Sequence, residues 1–226
     1  MRIKVFQVDP NLDQHNALFS SFDSVMKSAG GVDPAIYKTV FDGPVDAEDL
    51  EDIFAALNFD HPVGYNGHSM SVSDVVQLEN GECYFCDSIG FQKLQDFDTS
   101  QTAPIAGHRM LVVEPHKTPY EMVIPDGLEP LQQAVGGWIE CTYPFDDNAF
   151  VIGNEEAKLI GLEGNRRING QIYAGTLLIA ADDGQGGTMD LTEDQVKKYT
   201  KMFEIPEDIS SDEVKNDVWF AFVGFD

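Results

Sequence analysis

The chain has 226 residues, 14 of them basic and 39 acidic, for a net charge of −25. Such a charge repels nucleic-acid phosphates and anionic membrane surfaces, so no direct nucleic-acid or membrane binding is expected. It attracts cations and basic proteins instead. With 42% apolar and 11% aromatic residues there is material for real cores, which excludes wholesale disorder. The acidity is not a tail: 17 acidic and 5 basic residues precede His108, and 22 and 9 follow from it onward. Three cysteines do not make a disulfide framework and fit a reducing compartment. The N-terminus alternates as a strand and does not read as a signal peptide. The longest aliphatic run, Leu177 to Ala181, is too short to span a bilayer. A cytoplasmic location is expected.

Residues 2–8 alternate and predict a strand. Phe19, Phe22, Val25 and Met26 predict a short helix stopping at Gly30-Gly31. From Asp46 to Asn58 the spacing of Leu50, Ile53, Phe54 and Leu57 gives one apolar stripe, with Asp46 as N-cap and Pro62 beyond the end. Glu48, Asp49, Glu51 and Asp52 load its first turns, where the helix dipole favours anions. Ser71–Leu78 and Glu82–Leu94 read as two strands joined at Glu79-Asn80-Gly81, an Asn-Gly hairpin. Asp96 to Gly107 is polar, lacks periodicity, and reads as a linker.

A second unit then begins. Met110–Val113 and Glu121–Ile124 pair as strands. Asp126 is the expected cap of a helix with Leu128, Leu131 and Val135 inward, Glu129 completing a capping box and Gly136-Gly137 ending it. Trp138–Tyr143, Ala149–Ile152 and Ile172–Ala181 read as strands. Thr192 with Gln195 makes a capping box for a helix burying Val196, Tyr199 and Phe203, stapled by Leu191. Val218–Phe225 is apolar on both faces, as a buried terminal strand would be.

Few motifs carry chemistry. Cys83 and Cys86 form a C-x-x-C inside a predicted strand, where positions three apart face opposite ways, so buried thiols are the plainer reading. Asp182 to Glu193 has the length of an EF-hand, but Gly184 and Gly186 stand where oxygen ligands belong, so a flexible hairpin or β-to-α loop is expected. Gly67-His68-Ser69-Met70-Ser71-Val72-Ser73-Asp74 offers a histidine, hydroxyls and a carboxylate. Along one extended segment these would not converge as a nucleophilic triad does, and Ser and Asp commonly satisfy local backbone groups. Asn165-Arg166-Arg167 could clamp a carboxylate or phosphate, or form structural ion pairs with nearby acids.

Two stretches resemble known families. Residues 33–94, through Val40-Phe41-Asp42-Gly43, Leu50-Glu51-Asp52, His61-Pro62, Gly67 to Val75 and Asp87-Ser88-Ile89-Gly90-Phe91, resemble the YodL-like domain. Residues 110–208 are similar to a bacterial domain-of-unknown-function family. That similarity runs through Val112-Val113-Glu114-Pro115, Ile139-Glu140, Tyr143-Pro144-Phe145-Asp146-Asp147, Asn154-Glu155-Glu156, Asn165-Arg166 and Ile172 to Thr176. The resemblance implies accessory proteins of conjugative elements and phages of Gram-positive gut bacteria, the Firmicutes. It carries over no catalytic residue.

The expected fold is α+β, two small domains that each hold a mostly antiparallel sheet with one or two packed helices. The boundaries are 1–100, a linker at 101–107, 108–209, and a helix or strand extension over 210–226. The expected role is a non-enzymatic accessory protein that binds a macromolecule, in its sharpest form a DNA mimic against a basic host protein. Its net charge matches that of roughly a dozen base pairs. Two alternatives stand beside it. One is a small-ligand binder or hydrolase-like enzyme using His68, Ser69 and Asp74 or Asn165 and Arg166. The other is a scaffold or homo-oligomer joined through the apolar C-terminus. Candidate binding residues are His68, Ser69, Ser71, Asp74, Asn154, Asn165 and Arg166; the candidate acidic face is Glu48, Asp49, Glu51 and Asp52. No metal or cofactor is expected.

Overall fold

The computed structural model describes residues 1–59 and 61–217. The chain divides into two compact units, Met1–Ala106 and Gly107 onward, and the fold is α+β in both.

The first unit runs β1 (Arg2–Val8), α1 (Phe22–Ala29), β2 (Tyr37–Pro44), α2 (Leu50–Phe59), β3 (Val75–Leu78), β4 (Cys83–Cys86) and β5 (Phe91–Leu94). Its five strands form one antiparallel sheet in the order β2-β1-β3-β4-β5. β1 lies between two neighbours, and a bulge at Val5/Phe6 shifts its register against β2. That bulge breaks the simple alternation, which is why Val5, Phe6, Gln7 and Val8 are all buried. Phe6, Val8, Val25, Tyr37, Val75 and Phe85 form a core against which Phe22 and Phe97 pack.

Four local expectations change. α2 starts at Leu50, not near Asp46. Asp49 is its cap, accepting the Asp52 N–H at 2.9 Å. Five carboxylates in the seven residues from Asp46 to Asp52 leave the start ambiguous in sequence. The stripe also splits, with Ile53 and Leu57 buried but Phe54 exposed. The stretch Glu82–Leu94 is two strands, because Asp87 N–H bonds Gly90 O at 2.9 Å and Gly90 takes a positive φ. Finally, part of the stretch read as a linker is built into the unit. Phe97 joins its core, and Ala103 exchanges hydrogen bonds with Tyr37 O and Thr39 N–H of β2 at 2.9 and 2.8 Å.

The second unit runs β6 (Gly107–Val113), β7 (Tyr120–Pro125), α3 (Leu128–Val135), β8 (Ile139–Thr142), β9 (Ala149–Asn154), β10 (Gly164–Ile168), β11 (Gln171–Ala174), β12 (Leu177–Asp182), β13 (Thr188–Met189), α4 (Glu193–Phe203) and α5 (Ser211–Asn216). The main sheet has the order β7-β6-β12-β9-β8, with β13 paired to β12, and β10-β11 forms a separate hairpin. β12 is central, and Leu177 to Ala181 are all essentially inaccessible. That accounts for its unbroken apolar run, since both faces are covered. α4 lays Val196, Tyr199 and Phe203 into the same core as Leu111, Val151 and Ile179, and its Thr192–Gln195 capping box forms on both sides.

Here too the structure corrects details. α3 is capped by Gly127 with no side-chain bond, and Leu128 is exposed, so Asp126 and Glu129 make no capping box. Pro130 stands in its first turn, where the missing N–H has no intrahelical partner to lose. Ile172–Ala181 breaks at Gly175, whose φ is 71°. The polar β10 and the short α5, with its Ser210–Glu213 capping box, carry too little apolar pattern to be read from sequence. The expected strand Val218–Phe225 lies outside the described residues.

Replacing Thr192 with Ala removes one side of the α4 capping box. It should lower stability by about 1 kcal/mol. Urea unfolding followed by tryptophan fluorescence and circular dichroism measures this, and an unchanged midpoint would refute the assignment.

Candidate functional site

The densest buried polar cluster in the first unit centres on Asp74. Its segment is not extended: Ser73 adopts φ 81°, and the chain turns so that Ser71 N–H reaches Asp74 Oδ2 at 2.8 Å. The turn brings His68 back, placing its Nε2 3.8 Å from Asp74 Oδ1. The expectation that these groups stay apart along one strand is thereby overturned. Ser69 is not part of the convergence, as it is exposed and offers its carbonyl to His68 Nδ1 at 2.8 Å.

Two residues not singled out in the sequence complete the cluster. Gln7 on β1 clamps the His68 peptide group from both sides, accepting its N–H at 3.1 Å and donating to its C=O at 2.8 Å. The same Nε2 lies 3.0 Å from Asp74 Oδ2. Tyr65 donates its hydroxyl to the His68 carbonyl. Gly67 permits this close approach, since a Cβ there would fall 2.5 Å from Gln7 Oε1. Tyr37 donates to Ser73 O at 2.9 Å, and the Ser73 hydroxyl accepts Phe19 N–H at 2.9 Å. The available signal for Gln7 was a lone amide among Val5, Phe6 and Val8.

Asp74 is fully buried, and burial pushes its carboxyl up to about 8 against the opposing bonds from Ser71 and Gln7. Among the described residues its Oδ1 has no hydrogen-bond partner. Of the His68 nitrogens, Nδ1 lies 2.8 Å from Ser69 O and 3.2 Å from Gln7 Nε2, while Nε2 faces the carboxyl. Both ring nitrogens are therefore turned to the protein. The arrangement can hold a proton and fix a loop, but it presents no activated hydroxyl.

In the second unit Arg166 is 2% exposed. It donates to Asn165 O and Oδ1 at 3.0 and 2.9 Å, to Lys117 O at 2.8 Å and to Phe203 O at 2.9 Å. These acceptors are all uncharged, and burial pulls its pKa down. Neither a ligand clamp nor an ion pair with a neighbouring acid describes it. The ion pairs belong to Arg167, with Glu207 and Glu213 at 2.8 and 2.6 Å. Asn165 is also buried, its Nδ2 held by Val113 O and Gly175 O at 2.7 and 2.6 Å.

Asn154 closes the end of α3, donating to Val135 O and Gly136 O and accepting Glu156 N–H at 2.8 Å. Glu48, Asp49, Glu51 and Asp52 are exposed together at the start of α2, with Asp52 Oδ2 accepting Glu48 N–H at 3.0 Å. In the loop after β12, Asp182 and Asp183 accept backbone N–H groups of Gly184, Gln185 and Gly187 at 2.7 to 2.9 Å, while Glu193 pairs with Arg109. The loop is a β12–β13 hairpin whose carboxylates serve its own backbone. Cys83 and Cys86 are both buried, and burial pushes the Cys86 thiol up to about 12. Among the described residues no three His, Cys, Asp or Glu side chains gather as a metal ion needs. No described helix is long and apolar enough to cross a membrane.

Two measurements follow. Folded Asp74 holds its proton to about pH 8, whereas an unfolded aspartate releases it near 3.9. The folded state thus binds the extra proton between these values, and this contribution to stability is full below about 3.9 and lost as pH rises through about 8. Asp74→Asn should remove that slope, at most about 1.4 kcal/mol per pH unit, and be more stable than the parent at pH 8.5. Identical pH profiles of the urea midpoint for the two proteins would refute it. Arg166→Ala strands several buried carbonyls and should cost about 3 kcal/mol, read in the same assay. A near-neutral result would mean the guanidinium is not holding the unit together.

Residues 2–97 match the YodL-like domain, and residues 108–204 match the domain of unknown function DUF3846. Nothing among curated proteins or solved structures matches the chain. The YodL-like match falls on the first unit and the DUF3846 match on the second, in the order the resemblance implied.

Proposed function

We propose that this is a non-enzymatic accessory protein of a mobile genetic element, acting in the cytoplasm by binding a basic macromolecule through its acidic surface. One observation carries the reading. Eight of the 14 basic residues (Arg2, Lys4, Lys93, Arg109, Lys117, Lys158, Arg167 and Lys198) are ion-paired to carboxylates of their own unit. Arg166 is buried on carbonyls. Such surface pairs add little stability, but they neutralise the cations locally. What is left facing solvent is mostly unpaired carboxylate, and a field of that sign steers positively charged partners. The buried polar clusters add support from the other side, because their groups are spent on backbone. The mobile-element assignment rests on the family resemblance.

In its narrower form the partner is a DNA-binding protein, occupied in place of duplex DNA. Immobilised protein should then capture high-pI proteins from a host lysate at low salt and release them at about 0.5 M salt, where charges are screened beyond a few ångströms. Duplex DNA should compete for them. Capture of neutral or acidic proteins, indifferent to salt, would defeat the proposal.

A further inference from the structure

A cleft of about 610 Å³ opens in the second unit where β8 borders the main sheet. That size is within the range of ligand sites. Gly153 and Leu177 of the main sheet line it together with Ile172 and Ala174 of β11. Two hydroxyls meet inside it, Thr142 Oγ1 and Tyr173 Oη at 2.9 Å. β8 is the last strand of its sheet, so Glu140 and Thr142, two residues apart, both line the cleft from the edge.

The charges of the cleft do not balance. It is lined by three carboxylates, Glu140, Glu155 and Asp217, and one cation, Lys158. Lys158 is held by Asp217 at 2.6 Å, and that carboxylate also accepts Ile172 N–H at 3.1 Å. Among the described residues neither Glu140 nor Glu155 forms an ion pair of its own, and Glu140 is held above the usual carboxylate range by burial, against the pull of Lys158 and with Glu155 adding to the rise. A partly apolar cleft lined by two hydroxyls and by carboxylates suits an amphipathic cation. A Lys or Arg side chain lays its methylene stem on apolar surface and keeps its charged head at a polar group.

We propose that this cleft receives a lysine or arginine side chain from an extended basic segment of a partner protein, with Glu140 and Glu155 as its counter-charges. The inference rests on the reading of the protein as a binder of basic macromolecules and gives that binding a place.

Full-length protein titrated with hexaarginine at low salt, followed by amide resonances, tests it. Binding should shift Thr142 and Tyr173, and Glu140→Gln with Glu155→Gln should weaken it about 10-fold. The control pair Glu48→Gln with Glu51→Gln, which removes equal charge from α2, should weaken it less than about 3-fold. Equal losses from the two pairs, or shifts that spare the cleft, would overturn the cleft while leaving general acidic binding intact. No binding of hexaarginine at all would overturn the broader reading as well. Trp219→Ala in the full chain should leave Thr142 and Tyr173 in place. If it shifts them as far as the peptide does, the cleft belongs to the chain's own C-terminal segment and the proposal fails.

Discussion

The second unit is closed around a buried guanidinium that meets only uncharged oxygen. Arg166 gathers a carbonyl from the region between β6 and β7, one from the end of α4 and one from its own strand. The last carbonyls of a helix have no intrahelical partner and carry the negative end of its dipole, so Phe203 O is a natural place for a cation. Asn165 extends the same stitch to Val113 and Gly175. The β10–β11 hairpin lies outside the main sheet, and these bonds tie it to β6 and α4. Asp74 is the counterpart in the first unit, a buried carboxyl answered by a backbone N–H and an amide N–H with no cation in hydrogen-bond contact. In a chain with 39 acidic residues, each unit solvates its most buried ionisable group with dipoles. Dipoles fixed by the fold cost nothing to reorganise, whereas a flexible surface cation would have to be desolvated as well.

This explains what the sequence could and could not reveal. Elements with a strong period were readable: β1, the β3–β4 turn at Asn80-Gly81, and α4 with its capping box all form where the residue pattern places them. Boundaries failed where the local signal was duplicated or mixed. Among Asp46, Glu48 and Asp49, only packing of Ile53 and Leu57 selects Asp49 as the cap. Phe97 looked like one aromatic in a polar stretch because its partners, Phe6 and Tyr37, are far away in sequence. The site is a sharper case. His68 and Asp74 were visible as residue types, but their meeting depends on a left-handed Ser73 and on Gln7, 61 residues before His68. A positive φ at a serine leaves no mark in composition or spacing. Arg166 and Arg167, adjacent and identical, have opposite fates because neighbouring strand residues face opposite sides.

The distribution of acid separates what the fold requires from what it does not. All five described α-helices carry Asp or Glu in the first turn, where the positive end of the dipole stabilises them. Asp49, Asp52 and Glu213 go further and bond backbone N–H groups there. Asp182 and Asp183 do the same for a hairpin. The acids at the start of α2, which look in sequence like a binding face, thus have a structural reason to be where they are. Glu140 and Glu155 have no such reason. They neither cap a helix nor hold a turn, and they flank a partly apolar cleft in which like charges raise the free energy of the empty state. Net self-repulsion of a −25 chain disfavours every such placement unless something offsets it. An incoming cation offsets it where the competing lysine is already engaged, as Lys158 is with Asp217 in this cleft.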